Sequence, residues 1–438
     1  MRRTLFGLFL VLGLAVLVPA TASANEARSR WEMRNQIRRD KFDLVLPQAM
    51  RGNGIDLWIT VMKEGNFDPL YLELGQGYVS AIGFVIFTDL GKERIERAVL
   101  GIDGPEIENC GAYDIFLPAS DLKKFVAERK PKRIGVNMSD RLGRADGLSR
   151  AGHDYLVREL GAPYDTRLVS ADKLISDFLY HRVASEIAVF AEAGRISREL
   201  AERALSNEVI VPGKTRLEDV AWWLQEELEA RRLESSFGLP SVYITGPEGI
   251  EATSNKRIIQ RGDLLMLDWG VGLMGFYTDM KRIAYVLKDG ETQAPAGIQK
   301  AFDRAVAVRE VVRRAIKPGR TGSETVVAIN TALDAAGFSV MKEFNKPTET
   351  EKTEVITGCH SVGDWGHGIG PSAAFFQIAQ LGFQIYPTTL LAIEFFAYTP
   401  APEWGGKKVR IPLEDDAVVT ERGVEWLYPV NNRILLVR

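Results

Sequence analysis

Gly262-Asp263-Leu264-Leu265-Met266-Leu267-Asp268, followed eleven residues after Asp268 by the Asp279 of Tyr277-Thr278-Asp279-Met280-Lys281-Arg282, decides the reading of this 438-residue chain. An apolar run ends in one carboxylate, and a second strand pattern, Ile283-Ala284-Tyr285-Val286-Leu287, starts just past the other. Gly270, Gly272 and Gly275 lie between them, which predicts a hairpin that carries Asp268 and Asp279 together. Two further acids break the same rule. Glu394 interrupts Leu390-Leu391-Ala392-Ile393 and Phe395-Phe396, and Glu414 opens Glu414-Asp415-Asp416 ahead of Ala417-Val418-Val419. One imidazole, His367, sits in Gly366-His367-Gly368-Ile369-Gly370, where small neighbours allow close backbone approach.

A carboxylate in an apolar strand is costly unless a cation compensates it. The apolar runs around Asp268 and Glu394 carry no adjacent basic residue, so the expected cations are metal ions. Four carboxylates and one neutral imidazole offset two divalent ions. Such an oxygen-rich set suits Mn²⁺, Zn²⁺, Co²⁺ or Fe²⁺. Two ions about 3.5–4 Å apart can share a hydroxide and polarise a carbonyl.

Outward from these acids the chain repeats itself. Pro212-Gly213-Lys214-Thr215-Arg216-Leu217-Glu218-Asp219-Val220 matches Pro318-Gly319-Arg320-Thr321-Gly322-Ser323-Glu324-Thr325-Val326 at an offset of 106 residues. Each copy follows a long helix pattern, and in each a Thr with a Glu three residues later is read as a capping box. Two duplicated α/β halves packed around a shared cleft are expected.

Residues 25–172 read as a separate, smaller α/β domain. Its strand runs are Ile55-Asp56-Leu57-Trp58-Ile59-Thr60-Val61, Ala81-Ile82-Gly83-Phe84-Val85-Ile86-Phe87 and Ile134-Gly135-Val136-Asn137. The basic stretch Glu128-Arg129-Lys130-Pro131-Lys132-Arg133 reads as a solvated helix end. Residues 1–24 read as a secretory signal peptide: Arg2-Arg3, an apolar run from Leu5 to Val18, then Ala22-Ser23-Ala24 as the cleavage site. Export to the periplasm or the medium follows, with no membrane association after cleavage. A formal charge of −3, with 46% hydrophobic and 26% charged residues, excludes a disordered chain and gives no basic field for nucleic acid. Cys110 and Cys359 are the only cysteines, and they are equally readable as a bridge across two domains or as two separate thiols.

Residues 173–438 resemble the pita-bread metallopeptidases, the family of methionine aminopeptidase, Xaa-Pro aminopeptidase and prolidase. The resemblance rests on Gly262-Asp263 with Asp268, on Asp279, on His367-Gly368-Ile369-Gly370, on Glu394, and on Val409-Arg410-Ile411-Pro412-Leu413-Glu414-Asp415-Asp416, in which Pro412-Leu413 is an insertion. It implies an α+β fold with a pseudo-twofold catalytic domain behind an N-terminal α/β domain. It also implies a dinuclear centre in which Asp268 and Glu414 bridge both ions, Asp279 completes one site, and His367 with Glu394 completes the other. A shared hydroxide would attack the peptide carbonyl, with Glu394 as proton shuttle. Arg410 and Tyr277 are the expected substrate contacts; Arg410 otherwise forms an ordinary salt bridge. By fold analogy the N-terminal domain restricts the cleft or forms a homodimer.

The chain also departs from that pattern. The family places a second His seven residues beyond its ligand, where this sequence has Ala374 followed by Phe375-Phe376. Another His, expected before the first metal strand, is absent from Gly249-Ile250-Glu251-Ala252-Thr253-Ser254. His153 and His181 read as structural. His360 is the candidate stand-in, with Ser361–Trp365 as a local insertion. Three functions therefore compete: a secreted Xaa-Pro aminopeptidase-like metallopeptidase, a non-catalytic peptide-binding protein on the same cleft, and a metal-free creatinase-like hydrolase. The last is disfavoured by the complete ligand set.

Overall fold

The computed structural model describes residues 26–365 and 367–438; the expected signal peptide lies outside them. Strands Leu57–Met62 and Gly83–Thr88 are buried along their whole length. They sit centrally in a six-stranded sheet whose order is Ile115–Leu117, Glu96–Leu100, Gly83–Thr88, Leu57–Met62, Ile134–Val136, Leu168–Ser170. Their runs are apolar on both faces because both faces are covered. Trp58, Val85 and Phe87 pack with Phe42, Leu46 and Phe178 on one side. Leu57, Ile59, Phe84 and Ile86 pack with Phe125, Leu156 and Leu160 on the other. Helix Asp172–Tyr180 buries Leu174, Ile175, Phe178 and Leu179 in the first of these cores.

The hairpin expected from the Gly-rich span forms between Leu264–Trp269 and Met280–Val286, antiparallel, with Asp268 opposite Lys281. It belongs to a five-stranded sheet ordered Leu435–Val437, Met280–Val286, Leu264–Trp269, Ser241–Gly246, Gly249–Glu251. Alternate residues face different layers. Leu265, Leu267 and Trp269 meet Leu200, Leu224 and Leu228. Leu264, Met266, Ile283 and Tyr285 meet Phe302, Ala305 and Val308. A second sheet of eight strands runs Lys408–Leu413, Phe395–Pro400, Glu354–Ser361, Leu390–Ala392, Asp416–Thr420, Gly423–Trp426, with Ser339–Val340 and Ala373–Ala374 added beside Glu354–Ser361.

The repeat appears as two helix pairs, Ala184–Ala204 with Leu217–Arg231 and Ala296–Ala315 with Gly322–Ala335. In the second pair Thr321 caps as expected: its hydroxyl accepts from Glu324 N–H while the Glu324 carboxylate accepts from Thr321 N–H. The first pair differs by one residue. Arg216 N–H donates to Asp219, 2.7 Å away, and the Thr215 hydroxyl instead accepts from Val211 N–H. The shift arises because the helix starts at Leu217, which makes Asp219 rather than Glu218 its third residue.

Cys110 and Cys359 are both free and buried in different cores, so the bridge across domains does not form. Among the described residues no helix is long and apolar enough to cross a membrane.

Candidate metal centre

The pairing of two strands and the breaks in two others bring the acids together. Asp268 is the penultimate residue of Leu264–Trp269, and Asp279 immediately precedes Met280–Val286. Glu394 occupies the gap between Leu390–Ala392 and Phe395–Pro400. The strand Glu354–Ser361 pairs with both sides of that gap, Thr357 opposite Phe395 and His360 opposite Ala392. Gly358 faces the gap and donates its N–H to Glu394 O at 3.0 Å. A Cβ at position 358 would overlap Glu394 Oε2, so Gly358 is what leaves room for the carboxylate. Gly358→Ala is therefore expected to displace Glu394 while the protein stays folded. A crystal structure would show the moved carboxylate, and activity should fall about 10²-fold or more if Glu394 moves a proton. Full activity would contradict this placement. Glu414 lies between Lys408–Leu413 and Asp416–Thr420, fully buried.

Oxygen or nitrogen atoms of Asp279, His360 and His367 lie within 4.8 Å of one another, as do those of His360, Glu394 and Glu414, and those of Asp268, Asp279 and Glu414. Every acid and imidazole read from the sequence as a metal ligand thus enters one cluster. His360 enters it as well. Its ring is fully buried, with Nε2 3.3 Å from Glu414 Oε1 and 3.7 Å from Asp279 Oδ2. His360 Nδ1 lies 3.0 Å from the Ser361 carbonyl and donates to it, which turns Nε2 toward Glu414 and Asp279, the orientation of a ligand imidazole. His367 is exposed, and its ring is 4.6 Å from that of His360. The loop after His360 thus returns both rings to one place. His153 and His181 stand apart, His153 beside Asp154 and His181 against Tyr386.

One expectation fails. The acids do have a basic neighbour: Lys281, opposite Asp268 in the hairpin, reaches into their centre. Its Nζ is 2.7 Å from Glu394 Oε1 and 3.1 Å from Asp268 Oδ2, and it also donates to Glu414 Oε2. Strand pairing supplies a cation that adjacency along the chain does not reveal. The signal was present, since Lys281 is two residues beyond Asp279 and strand side chains repeat every second residue.

Lys281 divides the cluster electrostatically. Burial disfavours its charge, but Asp268, Glu394 and Glu414 outweigh burial and hold the ammonium protonated. Burial likewise opposes ionisation of Glu414, yet Lys281 and His360 overcome it and bring its pKa down to about 2. For Glu394 burial wins over Lys281, and the carboxyl is pushed up to about 7. Burial, then repulsion from Glu414 and Asp268, drives Asp279 well above the carboxylate range. Burial and His360 press His367 down to about 4, so its ring is neutral at pH 7.

Three buried atoms, Asp279 Oδ1, Glu414 Oε1 and His360 Nε2, make no hydrogen bond. An unpaired buried polar atom costs roughly 1–3 kcal/mol, more if charged. Two carboxylate oxygens and an imidazole nitrogen together are a donor set for a divalent transition ion, which displaces the imidazole proton on binding, so the residues present fit such an ion.

The flanking residues hold this geometry. Arg282 Nη1 is 2.8 Å from Asp415 Oδ1, and Arg309 is 3.8 Å from Asp415 Oδ2. Asp416 accepts from Asp279 N–H at 3.2 Å and from the Tyr428 hydroxyl at 3.0 Å.

The two expected substrate contacts separate. The Tyr277 hydroxyl is taken by the Glu234 carboxylate, and its ring meets Trp365 edge-on at 4.7 Å, so it is not offered to the acids. Arg410 forms no ion pair among the described residues. Its guanidinium lies 4.5 Å over the Phe396 ring, and it lines a cleft of about 800 Å³ with Asn345, Tyr398 and Lys408. Beside the centre, where the second His was expected, Ala374 is buried in a short strand and Phe376 packs 5.1 Å from His367.

The sequence profile of metallopeptidase family M24 matches residues 188–421. An uncharacterized peptidase, YqhT of Bacillus subtilis, is 25% identical over 271 residues, 59% of this chain and 65% of that protein. Methionine aminopeptidase B of Synechocystis is 27% identical over 179 residues, 39% of this chain and 60% of that one. The chain thus spans under two thirds of each of these two relatives. The X-Pro aminopeptidase of Thermotoga maritima superposes with a TM-score of 0.64 at 17% identity, over 89% of this chain and 100% of that one.

Proposed function

Because the chain belongs to metallopeptidase family M24, we propose that it is a metal-dependent peptidase that removes N-terminal residues from short peptides, in the manner of an Xaa-Pro aminopeptidase. The observation that carries this reading is the set of buried atoms with no partner, Asp279 Oδ1, Glu414 Oε1 and His360 Nε2, inside a ring of ligand-type side chains. The names of two similar proteins, a methionine aminopeptidase and an X-Pro aminopeptidase, supply the class of substrate. By the sequence resemblance the centre would take two ions. Residues 1–24 would export the protein.

A divalent cation held by these side chains supplies Lewis-acid activation of the peptide carbonyl and of the attacking water. The chain's own residues do the rest. Glu394, a buried carboxyl within the ligand cluster, is the residue proposed to take a proton from water and return it to the leaving amine. Arg410, with no carboxylate partner among the described residues, is placed to bind a peptide carbonyl or the C-terminal carboxylate. Phe344, Phe375 and Phe376, each about two-fifths exposed, offer an apolar wall to a substrate side chain. That wall replaces the expected second His, so one positioned proton donor is missing, a loss of about 10²–10⁴ in rate compared with an enzyme that has it.

The test is hydrolysis of a library of dipeptides and Xaa-Pro peptides by purified protein supplied with Mn²⁺. Cleavage of some of them, abolished by a chelator, is the expected result. Inertness across the library with metal bound would overturn the peptidase and leave a peptide-binding protein.

A further inference from the structure

The position of Lys281 bears on the number of ions the centre can hold. We propose that the centre takes a single divalent ion, on the side of Asp279, Glu414 Oε1 and His360 Nε2, and that the Lys281 ammonium stands in the place of a second. The proposal rests on that metal-dependent reading, and it departs from the pair of ions that the sequence resemblance implies.

The acids fall into two groups by what already satisfies them. Asp268 Oδ2, Glu394 Oε1 and Glu414 Oε2 all converge on Lys281 Nζ. Asp279 Oδ1, Glu414 Oε1 and His360 Nε2 have no hydrogen-bond partner. Glu414 belongs to both groups, one oxygen to each. A metal ion binds carboxylate oxygens at about 2.0–2.2 Å. An ion on the first group would have to occupy the volume the ammonium fills and would meet its positive charge. An ion on the second group meets neither obstacle and would lie among the Asp279 carboxylate, Glu414 Oε1 and His360 Nε2, whose nitrogen is 3.3 Å from Glu414 Oε1 and 3.7 Å from Asp279 Oδ2.

Lys281 cannot easily leave. Its side chain is 8% exposed, and every residue of its strand, Met280–Val286, is buried. Its Nζ lies 5.7 Å from the centre of the Phe396 ring, and its own N–H donates to the Glu414 carbonyl at 3.1 Å. The backbone bond ties Lys281 to the residue whose carboxylate it holds. Swinging the ammonium out would leave Asp268, Glu394 and Glu414 as neighbouring buried charges with no counter-ion, unless a metal ion arrived at the same moment.

Metal content decides this independently of activity. The wild-type protein and Lys281→Met would each be loaded with excess Mn²⁺, freed of unbound metal by gel filtration, and measured by native mass spectrometry and elemental analysis. The wild-type protein is expected to carry one ion per chain and Lys281→Met to carry two. Two ions in the wild type would overturn the inference and leave the metal-dependent reading standing. One ion in a folded Lys281→Met would also overturn it, because Lys281 would then not be what limits the count. No ion in either protein would overturn the metal-dependent reading itself, and the inference with it. Should Lys281→Met fail to fold, the electron paramagnetic resonance of Mn²⁺-loaded wild type still decides. An uncoupled Mn²⁺ spectrum is expected, and a spin-coupled pair would overturn the proposal.

Discussion

Glu414→Gln is expected to remove bound metal and to lower peptide hydrolysis by about 10²–10⁴. Glu414 is the residue on which both halves of the centre meet. One carboxylate oxygen receives the Lys281 ammonium, and the other lies 3.3 Å from His360 Nε2. The amide of Gln keeps the shape but turns one of these oxygens into an NH₂ donor, which cannot ligate a cation and would face either Lys281 or the ion. Lewis-acid stabilisation by a bound ion is worth several kcal/mol, and each 1.36 kcal/mol is tenfold in rate. A second readout is thermal. A ligand that binds only the folded state at one hundred times its Kd adds about 2.7 kcal/mol. Wild-type protein should therefore melt at a higher temperature with Mn²⁺ than with a chelator, and Glu414→Gln should melt at the same temperature in both. A variant that kept its metal and its rate would remove Glu414 from the centre.

Arg282→Met is expected to destabilise the protein by about 3–5 kcal/mol, the cost of stripping one partner from a buried ion pair. Arg282 and Asp415 have side chains 2% and 0% exposed, and their charged atoms are 2.8 Å apart. Burial pushes the Asp415 carboxyl above its usual range, and Arg282 is the strongest influence opposing that rise. Without the guanidinium, Asp415 would remain in the core directly after Glu414, with only Arg309 at 3.8 Å as a distant counter-charge. The double variant Arg282→Met with Asp415→Leu should recover most of the loss, because two apolar side chains leave no unpaired charge. Chemical denaturation midpoints of the two variants and wild type measure this. A loss below about 1 kcal/mol for Arg282→Met would show that the pair does not anchor the centre.

The sequence is informative where an amino acid sits against its local pattern. The hairpin at Asp268 and Asp279 was readable because an apolar run, a Gly-rich turn and a second apolar run follow one another within Leu264–Val286. Glu394 interrupts an apolar run and Glu414 opens an acidic triplet just ahead of one, and both lie in the cluster. Lys281 escaped because its partners are set by cross-strand register: Asp268 lies opposite it, while Glu394 and Glu414 come from another sheet. The period-two spacing from Asp279 hints at the face Lys281 occupies, and the folded topology fixes which acids it meets.

Other contacts depend equally on tertiary structure. His367 reads as the ligand and His360 as a stand-in seven residues before it, and the fold between them decides whether the two rings meet. The loop places them 4.6 Å apart. Tyr277 looked available for substrate, but Glu234, distant in sequence, takes its hydroxyl. Thr215 matched Thr321 letter for letter, yet the first helix begins so that Asp219 does the capping. In each case the residue type was informative, and its partner was fixed by tertiary contacts.

The most direct test of the account is anomalous diffraction from crystals grown with Mn²⁺. A peak bounded by Asp279, Glu414 and His360 is expected, with Lys281 Nζ still among Asp268, Glu394 and Glu414. Those side chains turned away from one another, or no anomalous peak among them at saturating metal, would contradict it.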